Sequence, residues 1–496
     1  MRLIETKQMQ LGEVDISKIE FDLKSRDEIP KLLQGLQHIY CTPELRRDVF
    51  SILDEIVPQA TNRWNGRPGM ELWKILVLGV IRLNCNWDYD KVREIANEHR
   101  TLRLMLRHTE DDQYQYPIQT IKDNVSLLTP EVLDKINTIV VKDGYRLLGK
   151  KKEDPLMGRC DSFVVETDVH FPTDISLLFD SVRKAVELTA RSVNGKGWRQ
   201  SKHIVRNLKK LYRRAQKAKR SSSKDPVKKE AKEKEIIKRH REYIMEAQRI
   251  ICRVKESLGL TGETAEADRT EKPRGVEDYI KHALRQIEQI RRRVILGESI
   301  PHEEKFFSVF EPYTEWISKG KAGVPQELGL KVCLIEDQHQ FIIHNKVMRG
   351  QTDEQVAEEM VKAAKEKHPS FNGCSFDKGF HSPDNRKKLP EIIDKMILPK
   401  KGKLTTREAL TENSEEFIRA RYQHAAVESA ISALENHGLD RCLDNGLDGF
   451  ERYVALAVLA RNLQTLGNII QKKQIKSRKR KEKYNRTLAA NKRSAA

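Results

Sequence analysis

Apolar residues recur at helical spacing through the first third of the chain. Leu72, Trp73, Leu76, Val77, Val80 and Ile81 predict one helix, Asn84-Cys85-Asn86 interrupts it, and Val92, Ile95 and Ala96 mark a second, the pattern of a helix-turn-helix. Thr129-Pro130-Glu131 announces another, with a capping hydroxyl, a proline in the first turn and a carboxylate at the positive end of the dipole, before Leu133, Ile136 and Val140. Residues 1–150 are therefore expected to form an all-α domain, either a DNA-binding unit or a helical scaffold for dimerisation.

Between about Asp180 and Gly297 the helical segments become highly charged. Ile237, Ile244, Ala247, Ile251, Val254 and Leu258, then Val276, Ile280, Ala283, Ile287, Ile290 and Val294, alternate steps of three and four, with polar His240 filling one gap. Three such segments, separated by Ser221–Pro226 and by Thr261–Gly275, predict an antiparallel bundle or coiled coil over 181–300. Its many Lys and Arg either grip a phosphate backbone or are simply solvated.

Strand patterns flank this block. Cys160–Thr167 is one; Lys331–Ile335 and Gln340–Val347 predict a hairpin across Glu336-Asp337-Gln338-His339. A helix over Asp353–Lys367 follows, then a strand at Phe371–Asp377, a helix at Pro383–Lys388, a strand at Met396–Leu398 and a long helix from Glu415 to Asn436. With 181–300 set aside, residues 151–180 and 301–470 read strand, strand, strand, helix, strand, helix, strand, helix. That is the order of an RNase H-like α/β domain, a mixed sheet flanked by helices.

Charge narrows the partners. The 496 residues hold 92 Lys plus Arg against 73 Asp plus Glu, a net +19, which favours a polyanion, nucleic acid first. From Lys472 onward there are eleven Lys or Arg and the single acid Glu482, so 471–496 is expected to be a disordered basic tail. The longest apolar runs, Ile75–Ile81 and Tyr453–Ala460, fall far below the roughly 20 residues that cross a bilayer. No membrane partner is expected, and with no secretory pattern at Met1–Lys7 the expected location is the cytoplasm. Seven scattered cysteines indicate neither a zinc cluster nor a disulfide framework.

A sheet of this order performs phosphodiester chemistry when carboxylates from two adjacent strands and a flanking helix converge on two divalent metals roughly 3.5–4 Å apart. Three acids stand where the order requires them: Asp161 within the first strand, Asp377 at the end of the fourth before Lys378-Gly379, and Glu428 on the long helix beside an apolar stripe of Val427, Ile431 and Leu434. Arg421 and His424 precede Glu428 by seven and four residues, so on one continuous helix they would share its face and meet a DNA phosphate. Asp168 is a rival first acid, but its odd separation from Asp161 directs it to the opposite face. Hard oxygen ligands without a Cys/His cluster select magnesium or manganese.

Three strings, Arg159–Asp174, Phe376–Ser382 and His424–Asp440, closely resemble bacterial insertion-sequence DDE transposases of the kind labelled ISNCY. The resemblance extends to Gly66-Arg67-Pro68 and its following helices, Gly320-Lys321-Ala322 and Arg452–Gly467. It implies a transposase with Asp161, Asp377 and Glu428 as its metal-holding acids and two Mg2+ or Mn2+ ions. Such an enzyme binds terminal inverted repeats in double-stranded DNA, cleaves a strand and transfers the freed 3′-hydroxyl to target DNA. Bacterial, nucleoid-associated, at least dimeric action follows, because two DNA ends must meet. Arg67, Arg93, Arg100, Lys378, Arg421 and His424 are the expected DNA contacts. Related groups place Tyr, Arg and Lys around the glutamate, where this chain has Arg421, His424 and Glu435. The alternatives are an RNase H-like nuclease that hydrolyses without joining, and a non-catalytic basic coiled-coil DNA-binding protein.

Overall fold

The computed structural model describes residues 9, 11–58, 69–109, 111–151, 153–194, 196–218, 225–259, 275–318 and 326–494, with side chains up to 485. Seven helices come first: α1 (Ile29–Cys41), α2 (Pro43–Leu53), α3 (Leu72–Asn84), α4 (Tyr89–Glu98), α5 (Arg100–Met105), α6 (Ile118–Val125) and α7 (Pro130–Leu148). As the sequence signals, Thr129 caps α7 by accepting from Val132 N, and Gly149, at φ 76°, ends it in the left-handed conformation. Almost every side chain of α3 is buried; Trp73 packs on Tyr40 and Phe50 and donates its indole N–H to Met105 O at 3.0 Å.

Strand β1 (Leu156–Thr167) follows, then four helices, α8 (Asp174–Ser192), α9 (Ser201–Lys217), α10 (Pro226–Ser257) and α11 (Val276–Ile290). The sheet resumes with β2 (Glu315–Ser318), β3 (Gln326–Asp337) and β4 (Ile342–Met348). Next come α12 (Asp353–Lys367), β5 (Phe371–Phe376), α13 (Pro383–Lys388), β6 (Lys395–Ile397), α14 (Thr406–Glu412), α15 (Glu415–His424), α16 (Ala426–Leu434), β7 (Arg441–Cys442) and α17 (Leu447–Ser494).

The strands form one mixed sheet in the order β2-β3-β1-β5-β6, with β4 beside β3 and β7 beside β1. β3 is antiparallel to β1 and to β4, whereas β5 runs parallel to β1 and β6 parallel to β5. This is the RNase H-like arrangement expected from the sequence. Residues of even number in β1 face α12 and α7: Leu156 and Cys160 join Cys333, Ile335, Phe371, Cys374 and Phe376 with Val356, Ala357, Met360 and Val361 in one apolar core. The odd-numbered Arg159 and Asp161 face the other side, which α15 and α16 cover.

The chain divides into two compact units, residues 1–168 with 329–496, and residues 169–328. The expected insertion, 181–300, is therefore longer at both ends, and residues 1–150 are not a separate domain. The physical reason is α17, which packs on α1, α3 and α7 and, with α7, reaches β4 through buried polar side chains. Asn462 Oδ1 accepts from Ile342 N at 2.9 Å, while its Nδ2 donates to Ile342 O and to Asn137 Oδ1. Tyr145 of α7 donates to Asp337 Oδ2 at 2.6 Å, and Asp337 Oδ1 accepts the amides of His339 and Phe341 that shape the β3–β4 turn.

The insertion is a bundle of four helices among the described residues, not three, because Asn194 and Gly197 take positive φ and break the first expected segment into α8 and α9. Its core contains Leu178, Val182, Val186, Leu208, Tyr243, Ile251, Ile280 and Ile287. The expected disordered tail instead prolongs α17 to Ser494. Its Lys, Arg, Gln, Glu and Ala residues are good helix formers once the buried first half of α17 supplies the nucleus. No helix among the described residues is long and apolar enough to cross a membrane.

Candidate active site

Register brings two of the acids side by side. Arg159 pairs with Ser375 and Cys160 with Phe376, so Asp161 and Asp377 stand side by side one step further along parallel neighbours. Asp377 follows β5 in extended conformation and opens a tight turn over Lys378–Phe380, which leaves both Asp377 and Lys378 exposed. A Cβ on Gly379 would come within 3.0 Å of Asp353 Oδ2, so glycine is what lets that turn lie against α12.

The third acid is delivered differently from expectation. The long helix over Glu415–Asn436 is split at Ala425, and Glu428 lies in the first turn of α16. Val427, Ile431 and Leu434 are buried as the stripe predicts, and Glu428 is exposed. Arg421 and His424 belong to α15, so the shared helical face argued from spacing is not formed. Arg421 is exposed, whereas His424 is drawn inward, its Nδ1 3.0 Å from Ser375 Oγ.

Electrostatics register this convergence. The Asp161 carboxyl is pushed up to about 6, chiefly by burial and then by the charges of Asp377, Asp353 and Glu428, against the opposing hydrogen bond from Ser162 N. Burial lowers the pKa of His424, Arg159 adds to the effect, and Asp377 and Glu428 partly offset it. His424 is therefore a neutral imidazole at pH 7, not the cation expected at a phosphate, and its buried Nε2 has no hydrogen-bond partner among the described residues. Arg159 pairs with Glu336 at 3.1 Å, and burial raises Glu336 to about 7 despite Arg159 and Arg461.

Asp353 was missed by sequence reasoning. It accepts from Ser162 Oγ at 2.7 Å and pairs with Lys331 at 3.1 Å, bracing the sheet behind Asp161. The sequence already places it at the start of α12; its tertiary partners Ser162 and Lys331 leave no local signal. Asp168 is exposed beyond the strand end, 3.8 Å from Arg441, and is not among the leading charges acting on Asp161. Arg93 and Arg100 are exposed at α4 and the start of α5. Arg67 lies outside the described residues.

Among the described residues no group of three or more His, Cys, Asp or Glu side chains is placed to hold a metal ion. The donor chemistry nevertheless suits a divalent cation. Carboxylates mutually repel at Asp161 without a cation bound to its oxygens, and magnesium keeps several waters and takes substrate phosphates rather than an all-protein cage.

Burial of Asp161, with the repulsion of its acidic neighbours added, predicts a pH-dependent cost. Unfolded, Asp161 titrates near 3.8; folded, it titrates near 6. Between these values the folded chain holds a proton that the unfolded chain has released, so stability falls as pH rises from 4 to 6, by on the order of 3 kcal/mol in all. In metal-free protein, Asp161→Asn should be more stable than the parent near pH 7 by up to that amount and equal to it below pH 4. Urea unfolding with a chelator at the two pH values measures the gap, and magnesium should narrow it at the higher pH.

Residues 297–463 match the family model described as the transposase DDE domain, a span that includes β3 to β7, Asp377 and Glu428. No curated protein and no solved structure matches the chain. This part of the RNase H-like sheet is therefore similar to a transposase DDE domain, with Asp377 and Glu428 inside the matched span and Asp161 of β1 outside it.

Proposed function

We propose that the protein is the transposase of an insertion sequence, acting at the bacterial nucleoid as a dimer or larger assembly. It binds terminal inverted repeats, cleaves a strand and joins the new 3′-end to target DNA. The observation that supports this most is the strand register that sets Asp161 beside Asp377, with the Glu428 charge also felt at Asp161.

In the first step a water oxygen attacks phosphorus, the P–O3′ bond breaks and the leaving oxygen takes a proton. In the second, that 3′-hydroxyl attacks a target phosphodiester, so one bond forms as another breaks and no energy source is required. Asp161, Asp377 and Glu428 would hold two Mg2+ or Mn2+ ions, whose positive charge would lower the pKa of the attacking oxygen and offset the charge on the leaving one. Exposed Lys378, which adjoins Asp377 in the chain, and exposed Arg421 would meet DNA phosphates. Neutral His424, seated by Ser375, offers its unpartnered Nε2 as a hydrogen-bonding group rather than a charge. The α3–α4 pair, with Arg93, Arg100 and Arg67, would recognise the ends.

The test is a strand-transfer assay on DNA carrying the inverted repeats that flank the gene, with purified protein and its Glu428→Ala variant. Joined products from the parent alone are expected. Cleaved but unjoined DNA would instead identify a nuclease.

The end of α17 adds a further expectation. Its side chains are exposed from Lys476 to Asn485, and phosphate contacts give a logarithmic salt slope of about −0.9 each on duplex DNA. Truncation after Gln471 should weaken binding to any duplex and flatten that slope, with the preference for element ends unchanged. Affinities for end and random duplexes at two salt concentrations decide it; a lost end preference would make this segment a specificity element.

A further inference from the structure

Within the insertion, α9 is unlike its neighbours. Cations of α8 and α10, and Arg291 just after α11, face acids one turn away, as in Arg191–Glu187 at 2.6 Å, Lys234–Glu230 at 2.7 Å, Arg249–Glu246 at 2.7 Å and Arg291–Glu288 at 3.9 Å. Over Ser201–Lys217, by contrast, there is no acid. Lys202, Arg206, Lys209 and Arg213 run along one stripe at steps of four, three and four, and Lys210, Arg214 and Lys217 run beside it. All seven are exposed, and none has an acid partner among the described residues; Lys209 only approaches the Phe179 ring, at 5.9 Å.

The opposite face explains why the helix persists. Leu208 and Ala215 are buried, and Ile204, Val205, Leu211 and Tyr212 pack against the bundle core. The outer face therefore has like charges at i,i+3 and i,i+4 over a helix about 25 Å long, which mutually destabilise it unless a polyanion lies against them. Solvation alone would tolerate the mixed charges seen on α10. None of the large apolar side chains of α9 is exposed, so the face offers nothing to insert into a lipid surface.

We propose that the outer face of α9 is a second docking surface for duplex DNA, holding its phosphate backbone without reading bases. That the polyanion is DNA rests on the transposase reading above; that the face takes a polyanion rests on α9 itself.

The test uses the full chain with Arg206→Gln, Lys209→Gln and Arg213→Gln combined, titrated with a random-sequence duplex over a range of salt. Three lost phosphate contacts should reduce the logarithmic salt slope by about 2.7. Restoring charge with Arg206→Lys, Lys209 unchanged and Arg213→Lys should restore the slope, which a folding defect would not allow. Neutralising the paired Arg191, Lys234 and Arg249 together should leave it near the parent value. A slope unmoved by the α9 variant, or moved equally by the control, overturns the proposal. So does α9-dependent binding to phosphatidylserine vesicles without α9-dependent binding to the duplex. End cleavage is measured in parallel with the parent. If the parent cleaves and α9 leaves the slope unmoved, this inference alone fails; if it binds through α9 and never cleaves, the transposase reading fails instead.

Discussion

Replacing Asp161, Asp377 or Glu428 by its amide is expected to abolish magnesium-dependent strand cleavage, a loss of roughly 10³-fold or more, given the several kcal/mol that a well-held metal contributes. The amide keeps the shape of the carboxylate and removes only the charge that holds a cation. Asp377 and Glu428 are exposed, so neither substitution disturbs packing. Asp161 is the more buried acid, and its amide relieves repulsion rather than creating it. Binding of element ends and the unfolding midpoint should therefore survive in all three. Asp168→Asn is the matched control: its carboxylate is exposed against Arg441, and cleavage should match the parent. Rates measured with magnesium over single turnovers decide each residue separately. Any triad variant that cleaves at the parental rate identifies an acid that is no ligand.

Asp161 and Asp377 were legible because strand order and period-two alternation depend on local pattern, and the bounds of α12 and α13 agree with their capping and proline signals. The break before Glu428 was not. Ala425-Ala426 contains the best helix formers, and nothing local forbids a continuous helix. What ends α15 is tertiary: His424 turns to Ser375 of β5, and α16 then settles Val427 and Leu434 against the core. The contact lies 49 residues away in sequence and leaves no periodic trace. The same applies to the N-terminal helices, which a sequence reading separates because no pattern announces that Asn462 will hold Ile342 and Asn137 together.

Gly35→Ala or Gly467→Ala should each cost about 3 kcal/mol of stability, through overpacking that cannot be relieved by a rotamer change. At this crossing α1 and α17 touch backbone to backbone. A Cβ on Gly35 would stand 2.3 Å from Leu463 O, and one on Gly467 would stand 1.9 Å from Lys31 O. Both obstacles are main-chain atoms flanked by fully buried Leu32, Leu33, Leu36 and Leu466, so a helix must shift as a whole. Shifting α17 would also draw Asn462 from Ile342, leaving edge-strand polar groups unpaired, so the loss propagates to β4. Gly149→Ala is the reference: its φ is +76° and nothing lies within 4 Å, so it should cost only about 1 kcal/mol of backbone strain. The double variant of Gly35 and Gly467 should cost less than the sum of the two singles, because one displacement makes room for both methyl groups. Urea unfolding midpoints of the four proteins measure this coupling. Fully additive costs would mean that the two glycines do not serve one shared crossing, and that α17 is held to the N-terminal helices by its apolar side chains alone.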